Sequence, residues 1–135
     1  MTDQDVQRRI DDITAGDRII RLFGMEVEAA AEGTARVSAV VKEEYLNGHE
    51  IAHGAFIFAV ADVAFALAVN SITHSVAVQW SLNLFRPAVL GDRVIADCST
   101  IHRGRRLLVV DLEVHNSEGK LLAKGQATAL PVVKD

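Results

Sequence analysis

Between His53 and Asn70 the chain reads GAFIFAVADVAFALAV, and Asp62 is the single ionisable side chain in that run. A carboxylate in apolar surroundings can act as a general base or as a nucleophile. Without partners, an ionised carboxylate there costs several kcal/mol or more. Two readings stand open. Asp62 pairs with a buried arginine or caps a loop, or it faces a cleft where desolvation keeps it reactive. Upstream lie Asn47, His49, His53 and Gly54. The Asn47 amide can orient a water or support a carbonyl. Gly54 stands where a helix would begin, and the first free N–H groups of a helix are donors suited to an oxyanion. His53 reads either as a loop histidine bonded to backbone or as a direct participant. His49 and His53 are four apart, a spacing that holds a metal only on a helix. They fall in a predicted loop with no third ligand nearby, so no metal is expected. A last group, Arg103, Arg105 and Arg106, flanks Gly104, and Arg86 precedes Pro87. Guanidinium forks suit phosphate oxygens, although a solvated basic hairpin tip would look the same.

These residues need elements to hold them. Val6, Ile10, Ile13, Ile19, Ile20 and Phe23 are spaced as one face of a helix over Asp5–Phe23, broken near Gly16. At Thr34 the period changes to two. Ala35, Val37, Ala39 and Val41 alternate with Thr34, Arg36, Ser38 and Val40, a strand with one buried face. Met25–Ala31 is its hairpin partner, with Glu32-Gly33 in the turn. Tyr45–Ala52 is a loop by composition, and a long apolar helix follows from Gly54. On it Asp62 shares a stripe with Ala55, Phe58, Ala66 and Val69, while Ile57, Val60, Ala64 and Leu67 lie opposite. Both faces are apolar, so both should be covered. The aromatic residues Phe56, Phe65, Trp80 and Phe85 read as core, and Phe58, one turn before Asp62, as a residue lining a pocket. Ser75–Arg86, Arg93–His102, Arg105–Asn116 and Lys120–Leu130 read as four strands separated by turn signals. The order predicts an α+β fold: an antiparallel sheet of about six strands wrapped around one central helix, with an extra N-terminal helix. Its edges would be unpaired unless two copies joined them across a two-fold axis.

The chain has 135 residues, half of them hydrophobic and 24% charged, with net charge −4 and pI about 5.7. That predicts one domain over 1–135, with 1–23 as a helical N-terminal segment. It disfavours a general nucleic-acid-binding surface. Cys98 is the one cysteine, which excludes an intrachain disulfide and a multi-cysteine zinc site. The polar N-terminus lacks a signal core, and the 55–69 apolar run is shorter than the roughly 20 residues a membrane span needs. A cytoplasmic protein without a membrane anchor is the expectation.

Taken together, Asn47-Gly48-His49, His53-Gly54, Ala61-Asp62, Ala64-Phe65-Ala66 and Asn70 resemble the hotdog-fold acyl-CoA thioesterases of the phenylacetate-degradation (PaaI-like) type. Phe85-Arg86-Pro87 with Gly91-Asp92, and Gly119-Lys120 through Gly125, resemble that family's later strands. The resemblance spans roughly residues 33–129. It departs at Ala55, where the family has a second glycine, and at Ala77, where some members carry a hydroxyl. It implies hydrolysis of an acyl-CoA, aromatic of the phenylacetyl type or medium-chain, with no cofactor. It makes Asp62 the base or nucleophile and Gly54, Asn47 and His53 its companions. Arg86, Arg103, Arg105, Arg106 and Phe58 become candidates for binding CoA and the acyl group. Gly54 and Asp62 are eight helical residues apart, about 12 Å along the axis, too far to meet at one carbonyl carbon. The family solves this with a partner subunit, which implies a homodimer with shared sites and a homotetramer. The alternatives are a hotdog protein that binds acyl-CoA without hydrolysing it and a hydroxyacyl-thioester dehydratase.

Overall fold

The computed structural model describes residues 1–132. Its N-terminal segment is two helices, α1 (Asp3–Gly16) and α2 (Arg18–Leu22). Thr2 and Asp5 form a capping box that starts α1, satisfying backbone N–H groups that a helix start leaves free. The Asp17 carboxylate accepts the Ile19 N–H at 3.0 Å and so caps α2. The predicted break near Gly16 is this capped junction.

Six strands follow: β1 (Glu26–Ala31), β2 (Thr34–Val40), β3 (Ser75–Leu84), β4 (Arg93–Arg103), β5 (Leu108–Asn116) and β6 (Leu121–Pro131). The long helix α3 (Gly54–Asn70) separates β2 from β3. The strands pair antiparallel in the order β1-β2-β4-β5-β6-β3. This is the six-stranded sheet and central helix expected, with two strand ends moved by more than one residue. β3 stops at Leu84, two residues before Arg86-Pro87, because the residue preceding a proline is restricted and proline lacks an N–H. β5 starts at Leu108, since the Gly104 N–H bonds the Leu107 carbonyl at 2.9 Å and closes a turn through Arg105 and Arg106. A 3₁₀ turn at Glu43–Tyr45 leads into the predicted loop.

One face of the sheet packs on α3. Val60, Ala61, Ala64, Leu67 and Ala68 are fully buried, and the alanines let the helix backbone lie close to the strands. Phe56 and Phe65 are buried beside them, each contributing on the order of 2–3 kcal/mol. The Asn70 amide donates to the Ala66 carbonyl and accepts the Ser75 N–H, both below 3 Å. It thereby ties the end of α3 to the start of β3. On β6, Gly125 faces Leu82 of β3, and a Cβ there would run into the Ser81 carbonyl. Only glycine allows the two strands to approach this closely. Ser38, predicted to face solvent, is fully buried, because the Arg93 guanidinium reaches over it and donates to its Oγ at 2.9 Å.

Two expectations of burial are corrected. The described residues do not cover both faces of α3: Ala55 and Phe58 are exposed, and Ala59, Asp62 and Ala66 are partly so. Phe85 is not core but 61% exposed. Of the two edge strands, β1 has α1 against it. β3 leaves its outer edge unpaired over ten residues, with Val76, Val78 and Leu84 exposed.

Candidate active site

The start of α3 carries a set of donors. His53 is the N-cap, with extended backbone, and its Nδ1 accepts the Ala55 N–H at 2.9 Å. The His53 carbonyl takes the N–H groups of Phe56 and Ile57. No hydrogen bond among the described residues claims the Gly54 N–H. It points free where the helix dipole is positive. A Cβ on Gly54 would lie 3.5 Å from Leu84 Cδ1, an ordinary contact. Packing therefore does not require glycine here, and the missing side chain keeps the N–H accessible.

Asn47 stands beside it. Its Oδ1 accepts the N–H of His49 at 2.9 Å and of Ile51 at 3.3 Å. These bonds set the orientation of the amide, since only the oxygen can accept. They also brace a loop in which Glu50 takes a φ of 60°. The NH₂ group is left as a donor without a partner among the described residues. Asn47 and Gly54 line one cleft of about 290 Å³ with Ile57, Leu84, Arg86 and Pro87. The Ala52 N–H bonds the Ala88 carbonyl at 2.8 Å, holding the two walls together.

Asp62 is elsewhere, two turns along α3 on the half-open stripe, and does not line this cleft. It makes no ion pair among the described residues, which removes the reading of a carboxylate clamped by arginine. Burial pushes its pKa above the ordinary 3.8, the Asp17 charge at the α1–α2 junction pushes the same way, and Trp80 opposes them weakly. Trp80 stands on β3, its ring edge-to-face with Phe58 at 4.7 Å and Phe65 at 5.2 Å. Its Nε1 makes no hydrogen bond of ordinary length and angle, so it offers Asp62 a dipole and not a formed bond. Below the helix, burial holds the Cys98 thiol far above its usual range, with Asp97 and Asp62 adding to the effect. Cys98 is thus a neutral neighbour.

Of the residues singled out from sequence, Asn47, Gly54 and Arg86 come together in one cleft. Phe58 joins Asp62 and Trp80 on the open stripe. His53 lines a different depression with Phe23, Tyr45 and Phe56, and its capping bond is the backbone role anticipated for it. The basic hairpin lies at the far end of the sheet: Arg103 pairs with Leu108, Leu108 with Ala129, and Ala129 with Ala77 near the start of β3. The cleft sits at the other end, beside Leu84. Arg103 is bonded to Glu32 at 3.0 Å, an exposed pair of little energetic weight. Trp80 and Asp17 are the neighbours of Asp62 that sequence reading passed over. Trp80 lies in phase with Leu82 and Leu84 on β3, a signal that it faces the helix. Asp17 carried no such signal.

The model of the thioesterase superfamily matches residues 49–123. The acyl-coenzyme A thioesterase PaaI of Escherichia coli is 34% identical over 108 residues, covering 79% of this chain and 77% of that protein. The solved structure of the E. coli PaaI protein from the phenylacetic acid degradation operon superposes with a TM-score of 0.93 at 28% identity, over 98% of this chain and 97% of that one. A hypothetical thioesterase of Streptococcus pneumoniae, solved with coenzyme A, gives 0.84 at 27% identity, over 93% and 98%.

Proposed function

The chain belongs to the thioesterase superfamily, and from that premise we propose that it hydrolyses acyl-CoA to the free acid and CoA in sites shared by two subunits. The observation that carries this reading is the division of the site. A carboxylate unpaired among the described residues sits mid-helix, and donors likewise unpaired sit at the helix start about 12 Å away. Joining two β3 edges antiparallel about a two-fold axis covers the exposed edge. It also sets the Leu84 end of one subunit beside the Ser75 end of the other. The cleft of one then approaches the Asp62 stripe of its partner.

In that site the thioester oxygen lies between the Gly54 N–H and the Asn47 NH₂. Asp62 of the other subunit takes a proton from water as the water oxygen attacks the carbonyl carbon. The oxyanion is held by the two donors. As the carbonyl re-forms, the C–S bond breaks and the electron pair leaves on the CoA sulfur. A thiol of pKa near 8.5 needs little acid assistance to leave. The raised pKa of Asp62 makes it the stronger base. Ala77 brings no hydroxyl, so positioning the water falls to Asp62 and Asn47.

The acyl group is apolar, phenylacetyl-type or medium-chain, and lies against Phe58. Arg86 meets the CoA phosphates at the cleft. The Arg103–Arg106 tip, joining β4 to β5, lies two to three strand spacings, about 10–15 Å, in from β3, so Arg105 and Arg106 reach the nucleotide end bound in the partner's cleft. Exposed Ile101, Leu107, Val89 and Leu90 leave apolar surface for two dimers to form a tetramer. No described helix is long and apolar enough to cross a membrane, and we assign the protein to the cytoplasm. A dehydratase would need a histidine beside the acid, whereas His53 Nδ1 is spent on the Ala55 N–H. The test is thiol release from aromatic and aliphatic acyl-CoAs by wild type and Asp62→Asn. Release lost in the variant, with unchanged circular dichroism, supports the hydrolase. Binding of acyl-CoA without release in the wild type overturns it.

A further inference from the structure

Two unsatisfied groups face each other across the open stripe of α3. Trp80 Nε1 is the one buried side-chain nitrogen or oxygen without a hydrogen-bond partner among the described residues. Asp62, beside it, has neither an ion-pair nor a hydrogen-bond partner among the described residues. A buried donor left unpaired is costly, and so is a desolvated carboxylate. The groups packed around Asp62 give no other relief. Asp17 from the α1–α2 junction is like-charged, and Cys98 from β4 is a neutral thiol. Phe58 and Phe65 on α3 itself bring only ring edges and faces.

We infer that Trp80 is the positioning residue of the acid: its indole N–H donates to one carboxylate oxygen of Asp62 and leaves the other free to take the proton of the attacking water. The inference rests on the hydrolase reading for its consequence in catalysis, and on the fold alone for the contact. The indole is the fixed partner. Phe58 and Phe65 brace it edge-to-face at 4.7 and 5.2 Å, with interplanar angles of 66° and 64°. Asp62 is free to turn onto it, since a carboxylate rotates broadly about its last torsion. A bond to the ionised form favours that form. Trp80 therefore keeps Asp62 ionised, and able to accept a proton, against burial and the Asp17 charge.

Trp80 is the only tryptophan in the chain, so its fluorescence reports on this one place. The first experiment follows emission against pH in wild type and Asp62→Asn, over the range in which far-UV circular dichroism is constant. The expected result is a titration with its midpoint above 3.8 in the wild type and none in the variant. The same curve in both proteins overturns the contact. The second experiment compares the pH profile of kcat/KM in wild type and Trp80→Phe, which keeps a ring against Phe58 and Phe65 and removes the N–H. Losing a charge-assisted hydrogen bond should raise the acid limb by about one pH unit, a roughly tenfold loss on that limb, with KM at neutral pH little changed. An unmoved limb overturns the positioning role. Should Trp80→Phe fail to fold, the fluorescence comparison decides, because neither of its proteins carries that change. A wild type that binds acyl-CoA without releasing thiol sinks the hydrolase reading, while fluorescence still decides the contact.

Discussion

Asn47→Asp separates the two jobs of the Asn47 amide. Its oxygen accepts the His49 and Ile51 N–H groups, and in the proposed mechanism its NH₂ is the donor to the thioester oxygen. Aspartate keeps both acceptor contacts and forfeits the donor. It also places a negative charge beside an oxygen that must become an anion. Removing one oxyanion donor costs about 3–4 kcal/mol, roughly 10²–10³ in turnover, and the added charge drives the loss to the upper end. The fold should melt at the wild-type temperature, since the loop around Glu50 stays braced. Asn47→Ala is the converse control. It loses donor and brace together, and at about 1 kcal/mol per net hydrogen bond, less for the 3.3 Å contact, stability falls by about 1–2 kcal/mol. For a chain of this size that is a drop of about 4–8 °C in Tm. Thiol release under saturating acyl-CoA and thermal melts by circular dichroism read both quantities. If Asn47→Asp turns over near the wild-type rate, the amide is not an oxyanion donor. If it melts as early as Asn47→Ala, the acceptor bonds are not what the side chain supplies to the fold.

Asp62 also makes stability depend on pH. Its folded pKa lies above the ordinary 3.8, so the ionised form is disfavoured in the folded state. That cost is absent below 3.8, grows as pH rises through the folded pKa, and is constant above it. Asp62→Asn should therefore melt above the wild type near neutral pH, and the gap should close as pH falls toward 3.8; a variant less stable at neutral pH contradicts the assignment. Gly125→Ala forces a Cβ into the Ser81 carbonyl and to 2.9 Å from the Leu82 Cα. Because both are backbone, it should lose about 2–3 kcal/mol or more in urea unfolding, and an unchanged midpoint would refute the close approach of β3 and β6. Arg106→Ala should raise KM for acyl-CoA more than it lowers kcat, while Arg103→Ala, whose guanidinium is held by Glu32, should change KM less; equal effects would show that the Glu32 pair does not withhold Arg103 from substrate.

What was legible in the sequence is what local periodicity and turn chemistry control. The limits of α3, the alternation in β2 and the glycine turns between strands are set by neighbours a few residues away. So is the capping role of His53, which bonds a backbone group two residues on. The carboxylate could be found because one acid in an apolar run is anomalous wherever the run folds. Ser38 and Phe85 were misplaced because burial is decided by what lies far along the chain. Arg93 reaches over Ser38 from 55 residues on. Phe85 lies beyond the end of β3, where no described residue covers it. Trp80 is half-open because its strand is an edge, a fact fixed by strand order and not by the composition of β3. Asp17 reaches Asp62 only because α1 and α2 fold back along α3, and no local signal carries that information.

The rise of 1.5 Å per residue then bears directly on the chemistry. A single helix can supply an oxyanion donor only at its first turn, where N–H groups are unspent. It can desolvate a carboxylate only farther along, where side chains surround it. One copy of α3 therefore cannot bring the two to the same atom, whatever the side-chain rotamers. Two copies related by a two-fold axis can, because the axis sets the start of one helix against the middle of the other, and does so twice. The uncovered stripe on α3 and the unpaired edge of β3 are on this view one feature. In the proposed dimer the stripe is open because a substrate and a partner's cleft must reach it, and the edge is open because that partner must be held in register. A mutation that blocks the β3 edge, such as a lysine at the exposed Val78, should abolish activity even when every residue of the donor cleft and Asp62 itself are intact. An active monomer carrying that change would show that the acid and the donors meet within one chain after all.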